Sequence, residues 1–144
     1  MQTLQKKYSL PDMSHSFKID VIGNESGKNW TGEFVYHRPT LGDRSRIDQM
    51  RARLSGDLDS LSQEVDEFNQ SISHLRFTLK KFPEWWVESN YGLDLYDGNV
   101  ISEVYNRCLD YETKFLDRVN SGEPKDVEVK DEQASIVEDT ADIV

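Results

Sequence analysis

A chain of 144 residues can hold one domain of ordinary size and has little room for a second independent core. Charged residues make up 31% and the hydrophobic set 36%, which implies a modest core with solvated segments attached. The net charge of −10 argues against a surface that binds duplex nucleic acid, since such a surface needs cations to replace the counterions around phosphate.

The charge is unevenly spread. Residues 121–144 carry eight acids against Lys125 and Lys130, a net −6, so residues 1–120 carry −4. The lone cysteine, Cys108, has no partner for an internal disulfide and fits a reducing compartment. No apolar run approaches the roughly 20 residues that span a bilayer, and MQTLQKKYSLPDM lacks the apolar stretch of a signal peptide. The expectation is a soluble cytoplasmic protein without a membrane partner.

Residues 1–15 are polar, hold Pro11 and show no periodicity, so they read as a flexible arm. SFKIDVI (16–22) alternates, with Phe17, Ile19 and Val21 on one face. WTGEFVYH (30–37) alternates again, with Trp30, Phe34 and Tyr36 on one face. The glycine- and asparagine-rich GNESGKN between them makes the pair a hairpin over 16–37. A lone hairpin is marginal in water, so its aromatic face must rest on the helices that follow.

Thr40 and Asp43 have the spacing of a capping box, which predicts a helix over about 40–55 with Ile47, Met50 and Leu54 on its stripe. Ser60 and Gln63 suggest the next start. Leu61, Val65, Phe68, Ile72, Leu75, Leu79 and Phe82 then follow at alternating spacings of four and three, predicting a helix over 60–82 that Pro83 ends. Two readings of this seam are open: packing within the chain's own bundle, or a seam shared with a second copy in a homo-oligomer. A third helix, about 98–120, has Asp97 or Asn99 as its cap and Ile101, Val104, Cys108, Tyr111, Phe115 and Val119 as its stripe. Residues 121–144, acidic and without aromatics, read as a disordered tail. The fold class is therefore α+β, mainly α: an N-terminal β-hairpin packed on a small three-helix domain over 16–120, with an acidic C-terminal tail.

Chemistry-bearing patterns are scarce. His15, His37 and His74 have no histidine, cysteine or carboxylate at zinc-site spacing, so no metal is expected. Cys108 lies on a helical stripe and reads as a small buried hydrophobe. No glycine-rich phosphate loop is present, and the many carboxylates sit on helix faces. Neither an enzyme nor a cofactor is expected.

Two groups remain as candidates for binding a partner. Arg44, Arg46, Arg51 and Arg53 form two stripes on the first helix. They pair with acids of the second helix, or they dock an acidic partner or the acidic tail. In KKFPEWWVESNYG (80–92), Trp85 and Trp86 are neighbours and cannot both lie flat on one wall. One expectation is a plug beside Phe82 and a rim ring with Tyr91 and Tyr96. The other is that both rings are mostly buried, one under the hairpin's Trp30–Phe34–Tyr36 face.

TGEFVYHRPTLGDRSRIDQMRARLSG (31–56) resembles a stretch found in small tailed-phage and prophage proteins: a strand, an R-[PL]-T-[LI]-G-D-R element and an arginine-rich helix. The PEWW after an apolar helix and YNRCLDYETKFLDR (105–118) continue the likeness, which covers about residues 31–118. The resemblance is to tail assembly chaperones, which hold the tape measure protein while the tail tube polymerises. It implies a non-catalytic morphogenesis protein in the host cell cytoplasm, with another phage protein as partner. A virion structural accessory protein (neck, tail or baseplate) is the alternative. An acidic nucleic-acid mimic that inhibits a host protein is a further one.

Overall fold

The alternation read from the sequence becomes a hairpin. In the computed structural model, which describes residues 12–56 and 60–121, strands β1 (Ser14–Ile22) and β2 (Asn29–His37) pair antiparallel from Ser14 opposite His37 to Ile22 opposite Asn29. Phe17, Ile19, Phe34 and Tyr36 are buried on the inner face, while Ser16, Lys18 and Asp20 stay outside. Period-2 patterning of this kind fixes the register, because a slip by one residue would turn every aromatic to water.

Helix α1 (Leu41–Ser55) starts at the expected box. The Thr40 hydroxyl accepts from Asp43 N, and the Asp43 carboxylate accepts from Thr40 N, each at 3.0 Å. Helix α2 (Gln63–Thr78) is shorter than the expected 60–82. Its cap is Ser62, whose hydroxyl accepts from Val65 N at 3.2 Å, in place of Ser60. Its end is the larger correction. Leu79–Lys81 form a third strand, β3, antiparallel to β2 with Tyr36 opposite Leu79 and Val35 opposite Lys81. Two physical causes meet there. Pro83 disfavours helical backbone at the residue before it, and the edge of β2 offers a ladder that no helical continuation can use. Of the seven-residue seam, Ile72, Leu75 and Leu79 lie in the chain's own core, whereas Val65 is exposed.

A short helix, α3 (Glu84–Glu88), follows Pro83 and makes a fourth helix beside the three expected. It ends in an unusual turn in which Asn90 (φ 57°), Tyr91 (φ 56°) and Gly92 (φ 90°) are all left-handed. A bulky residue at positive φ is costly. Here Tyr91 N donates to Trp86 O at 2.8 Å, and Ser89 Oγ accepts from Gly92 N at 3.1 Å. A side chain at Gly92 would strike Ile101, Ile72 and Trp86, so the core presses directly on this turn.

Helix α4 (Gly98–Ser121) supplies the longest stripe, with Val100, Ile101, Val104 and Cys108 fully buried. The sheet's inner face, α2, α3 and this stripe form one core centred on Phe34, Tyr36, Ile72, Leu75 and Trp86. Each fully buried side chain of that size contributes roughly 1.5–3 kcal/mol by leaving water. The chain divides into two units. The core belongs to the unit of residues 13–112. Of the other, residues 1–12 with 113–144, Asp12 and the last nine residues of α4 are described; Phe115 is buried there and Leu116 and Val119 are exposed. Most of the arm (1–11) and of the acidic tail (122–144) lies outside the described residues.

The outer edge of β1 is partly occupied by side chains. Arg107 Nη1 donates to Lys18 O at 3.0 Å, and Asn99 Nδ2 donates to Ile22 O at 2.9 Å. These carbonyls belong to the even-numbered residues, whose backbone groups point away from β2. The odd-numbered Met13 points towards it, its carbonyl accepting from Arg38 N.

Candidate functional site

Two places combine polar chemistry with exposure. At the hairpin tip, Asp97 and Asn99 turn their side chains to the 23–28 turn instead of capping α4. The Asp97 carboxylate, 1% exposed, accepts from Glu25 N (2.7 Å), Ser26 N (2.8 Å), Ser26 Oγ (2.6 Å) and Trp30 Nε1 (2.9 Å). The Ser26 hydroxyl above all, with the Ser26 and Glu25 amides and the Trp30 indole, holds the carboxyl at about 2. Asn99 Oδ1 accepts from Asn24 N at 2.9 Å. Gly23 is required at the close approach, because a side chain there would overlap the Asp97 carboxylate. Two exposed apolar residues adjoin this clamp in sequence: Tyr96, 85% exposed, precedes Asp97, and Ile22, 60% exposed, precedes Gly23.

The second place is an open cleft of about 370 Å³ lined by Pro39, Arg44, Ile47, Asp48, His74 and Glu112. Its floor is a charged network. Glu112 accepts from Arg38 Nε at 2.9 Å through Oε1 and from the Tyr36 hydroxyl through Oε2, and His74 Nε2 lies 3.3 Å from the same hydroxyl. Burial, then the hydrogen bond to Glu112, pushes the Tyr36 phenol far above its ordinary value. Burial lowers His74, opposed by the charge of Glu112 and assisted by that of Arg44. With the Tyr36 hydrogen given to Glu112, His74 Nε2 is the donating nitrogen, and Nδ1 keeps its lone pair.

Trp86 is 1% exposed and meets Phe34 edge-on at 5.5 Å, a core plug. Trp85 is half-buried; it packs on Trp30 at 4.7 Å and donates its indole N–H to Thr31 O at 2.8 Å. Both rings thus serve the hairpin, as in the second expectation. Tyr91 is half-buried, edge-on to Phe82 at 5.8 Å and covered by the Arg76 guanidinium at 4.0 Å. Tyr96 alone of the four aromatics stands in solvent. Arg46 bridges Asp43 of its own helix at 3.0 Å, and Arg51 bridges Asp66 of α2 at 3.1 Å. Arg44 and Arg53 are exposed and have no ion-pair partner among the described residues.

The sequence reading missed the Tyr36–His74–Glu112–Arg38 network. Its signal was Glu112, four residues after Cys108 and so on the apolar stripe, where a carboxylate calls for buried partners. Burial pushes the Cys108 thiol well above its ordinary value, and both Glu112 oxygens are engaged. Among the described residues no group of three His, Cys, Asp or Glu side chains is placed to hold a metal ion, and no helix is long and apolar enough to cross a membrane. No family model, curated protein or solved structure matches the chain.

Proposed function

We propose that the chain is a non-catalytic interaction protein of phage morphogenesis, a tail assembly chaperone that holds the tape measure protein in the host cytoplasm. The observation that carries this reading is Tyr96. It is a large aromatic ring 85% in water, able to bury its face on a partner while keeping its hydroxyl wet. It is displayed beside a carboxylate that fixes the hairpin tip with four hydrogen bonds. Ile22, just before the 23–28 turn that the carboxylate holds, is a second exposed apolar side chain. A rigid mount for exposed apolar side chains suits the capture of apolar positions on a long, unfinished helical partner, because little side-chain and loop entropy is lost on binding. Resemblance over residues 31–118 supplies the identity of that partner.

Nothing in the two polar networks favours catalysis. The phenol is raised, the thiol is raised and buried, and both oxygens of each carboxylate already accept hydrogen bonds. Co-expression with the tape measure protein of the same phage is the test. The two are expected to co-purify, and Tyr96→Ala with Ile22→Ser to abolish co-purification while the circular dichroism and melting temperature hold. Failure to co-purify would refute the chaperone reading. Persistence of the protein in mature particles at fixed stoichiometry would make it a virion accessory protein instead.

A further inference from the structure

The cleft has no part in that reading, and its chemistry is specific. On its wall, Arg44 is an exposed cation with no ion pair among the described residues, unlike Arg46 and Arg51 of the same helix. On its floor, the negative charge of Glu112 is already spent on the Arg38 guanidinium and the Tyr36 hydroxyl. His74 offers Nδ1, which can take a proton without breaking the Nε2 contact to Tyr36. Pro39 and Ile47 supply apolar wall between these groups. Asp48, one turn along α1 from Arg44, is exposed and has no ion pair among the described residues. It turns a run of acids away from that end of the cleft.

We infer that this cleft is a docking site for a partner peptide that places one carboxylate against Arg44 and His74 and an aliphatic side chain against Ile47 and Pro39. Charge complementarity selects this occupant: an exposed cation without an ion pair among the described residues stands beside an apolar wall, and Asp48 disfavours polyanions. At about 370 Å³ the cleft lies at the lower end of the range of ligand pockets. Docking also loads the histidine. A carboxylate beside Arg44 cancels the positive charge that assists burial in lowering His74, so binding draws a proton onto Nδ1 and strengthens as pH falls below the ordinary histidine value. The groups that face His74 are Tyr36 from β2, Arg44 and Asp48 from α1, and Tyr105 and Glu112 from α4.

The full chain can be titrated with three capped tripeptides, acetyl-leucyl-X-leucinamide, where X is glutamate, glutamine or lysine. Nuclear magnetic resonance reports the site. The glutamate peptide is expected to shift the Ile47 and His74 signals and to bind roughly tenfold more tightly than the glutamine peptide, as a charged hydrogen bond in a partly shielded site allows. Saturation should raise the His74 titration midpoint. Arg44→Gln, an exposed position, should keep the melting temperature and bring the glutamate and glutamine peptides to equal affinity. Arg53→Gln, outside the cleft, should change nothing. Any of four results overturns the proposal: no shift in the cleft, equal affinity of the three peptides, an Arg44→Gln variant that binds normally, or an unmoved His74 midpoint on saturation.

Discussion

The hairpin tip and the cleft floor each centre on a shielded carboxylate, but the two are satisfied in different ways. Asp97 takes four hydrogen bonds from two backbone amides, a hydroxyl and an indole, all uncharged and all from one turn and its following strand. Glu112 takes an arginine and a phenol that stands against a histidine, so its neighbours include groups that carry or can gain charge. The first arrangement is indifferent to protons across the neutral range and serves as a mount. The second lies beside a cleft and contains a histidine that burial holds below its ordinary value. A carboxylate ringed by neutral donors makes a fixture, and one held by ionisable side chains makes a place where an arriving charge is felt.

Variants can break or sharpen this contrast. The largest effect belongs to neither end and sets the scale: Trp86→Ala should cost about 3–5 kcal/mol in denaturant unfolding, and Trp85→Ala clearly less because that ring is half-buried. Next come the carboxylates themselves. Glu112→Gln removes the charge facing Arg38 and should cost about 1–3 kcal/mol. Asp97→Asn should instead release the hairpin tip, seen as faster hydrogen exchange at the Glu25 and Ser26 amides with the cleft signals unmoved.

The pH responses should also separate. Asp97 is depressed to about 2, so its contribution is complete above the ordinary carboxyl range near 4. It is lost as pH falls from there through 2, and Asp97→Asn should remove that part of the acid transition. His74 is also depressed, so stability is full above the ordinary histidine value near 6.5 and declines as pH falls below it. His74→Gln should flatten that decline in melting temperature measured between pH 7 and 5. The smallest effect is at the display position: Tyr96→Ala should leave stability within about 0.5 kcal/mol.

Much of the scaffold was legible because its signals are local. Alternation gave the inner faces of both strands, and the 3.6-residue stripe gave the buried side of α4. Thr40 with Asp43 gave the start of α1. The misses all depend on partners far along the chain. Leu79 fits the helical spacing as well as Leu75 does, and only the distant edge of β2 draws it into a strand. Asp97 and Asn99 sit where caps sit, and an Asx side chain there serves a nearby turn equally well. The pairing of Glu112 with Tyr36 and Arg38 spans more than seventy residues, beyond what spacing can reveal. Tyr96, by contrast, was singled out as a rim ring and does stand in solvent, while its neighbours Leu93 and Leu95 pack against the core.

The two side chains laid along β1 have a consequence for what can add to the sheet's border. A nine-residue border strand is a template onto which another extended chain can add. With Arg107 and Asn99 already hydrogen-bonded to the Lys18 and Ile22 carbonyls, an incoming strand would have to evict both before it found a ladder. The charges of Lys18 and Asp20 face outward beside them. Strand addition at this edge is therefore disfavoured, and copies of the molecule can stand at high concentration without pairing through β1.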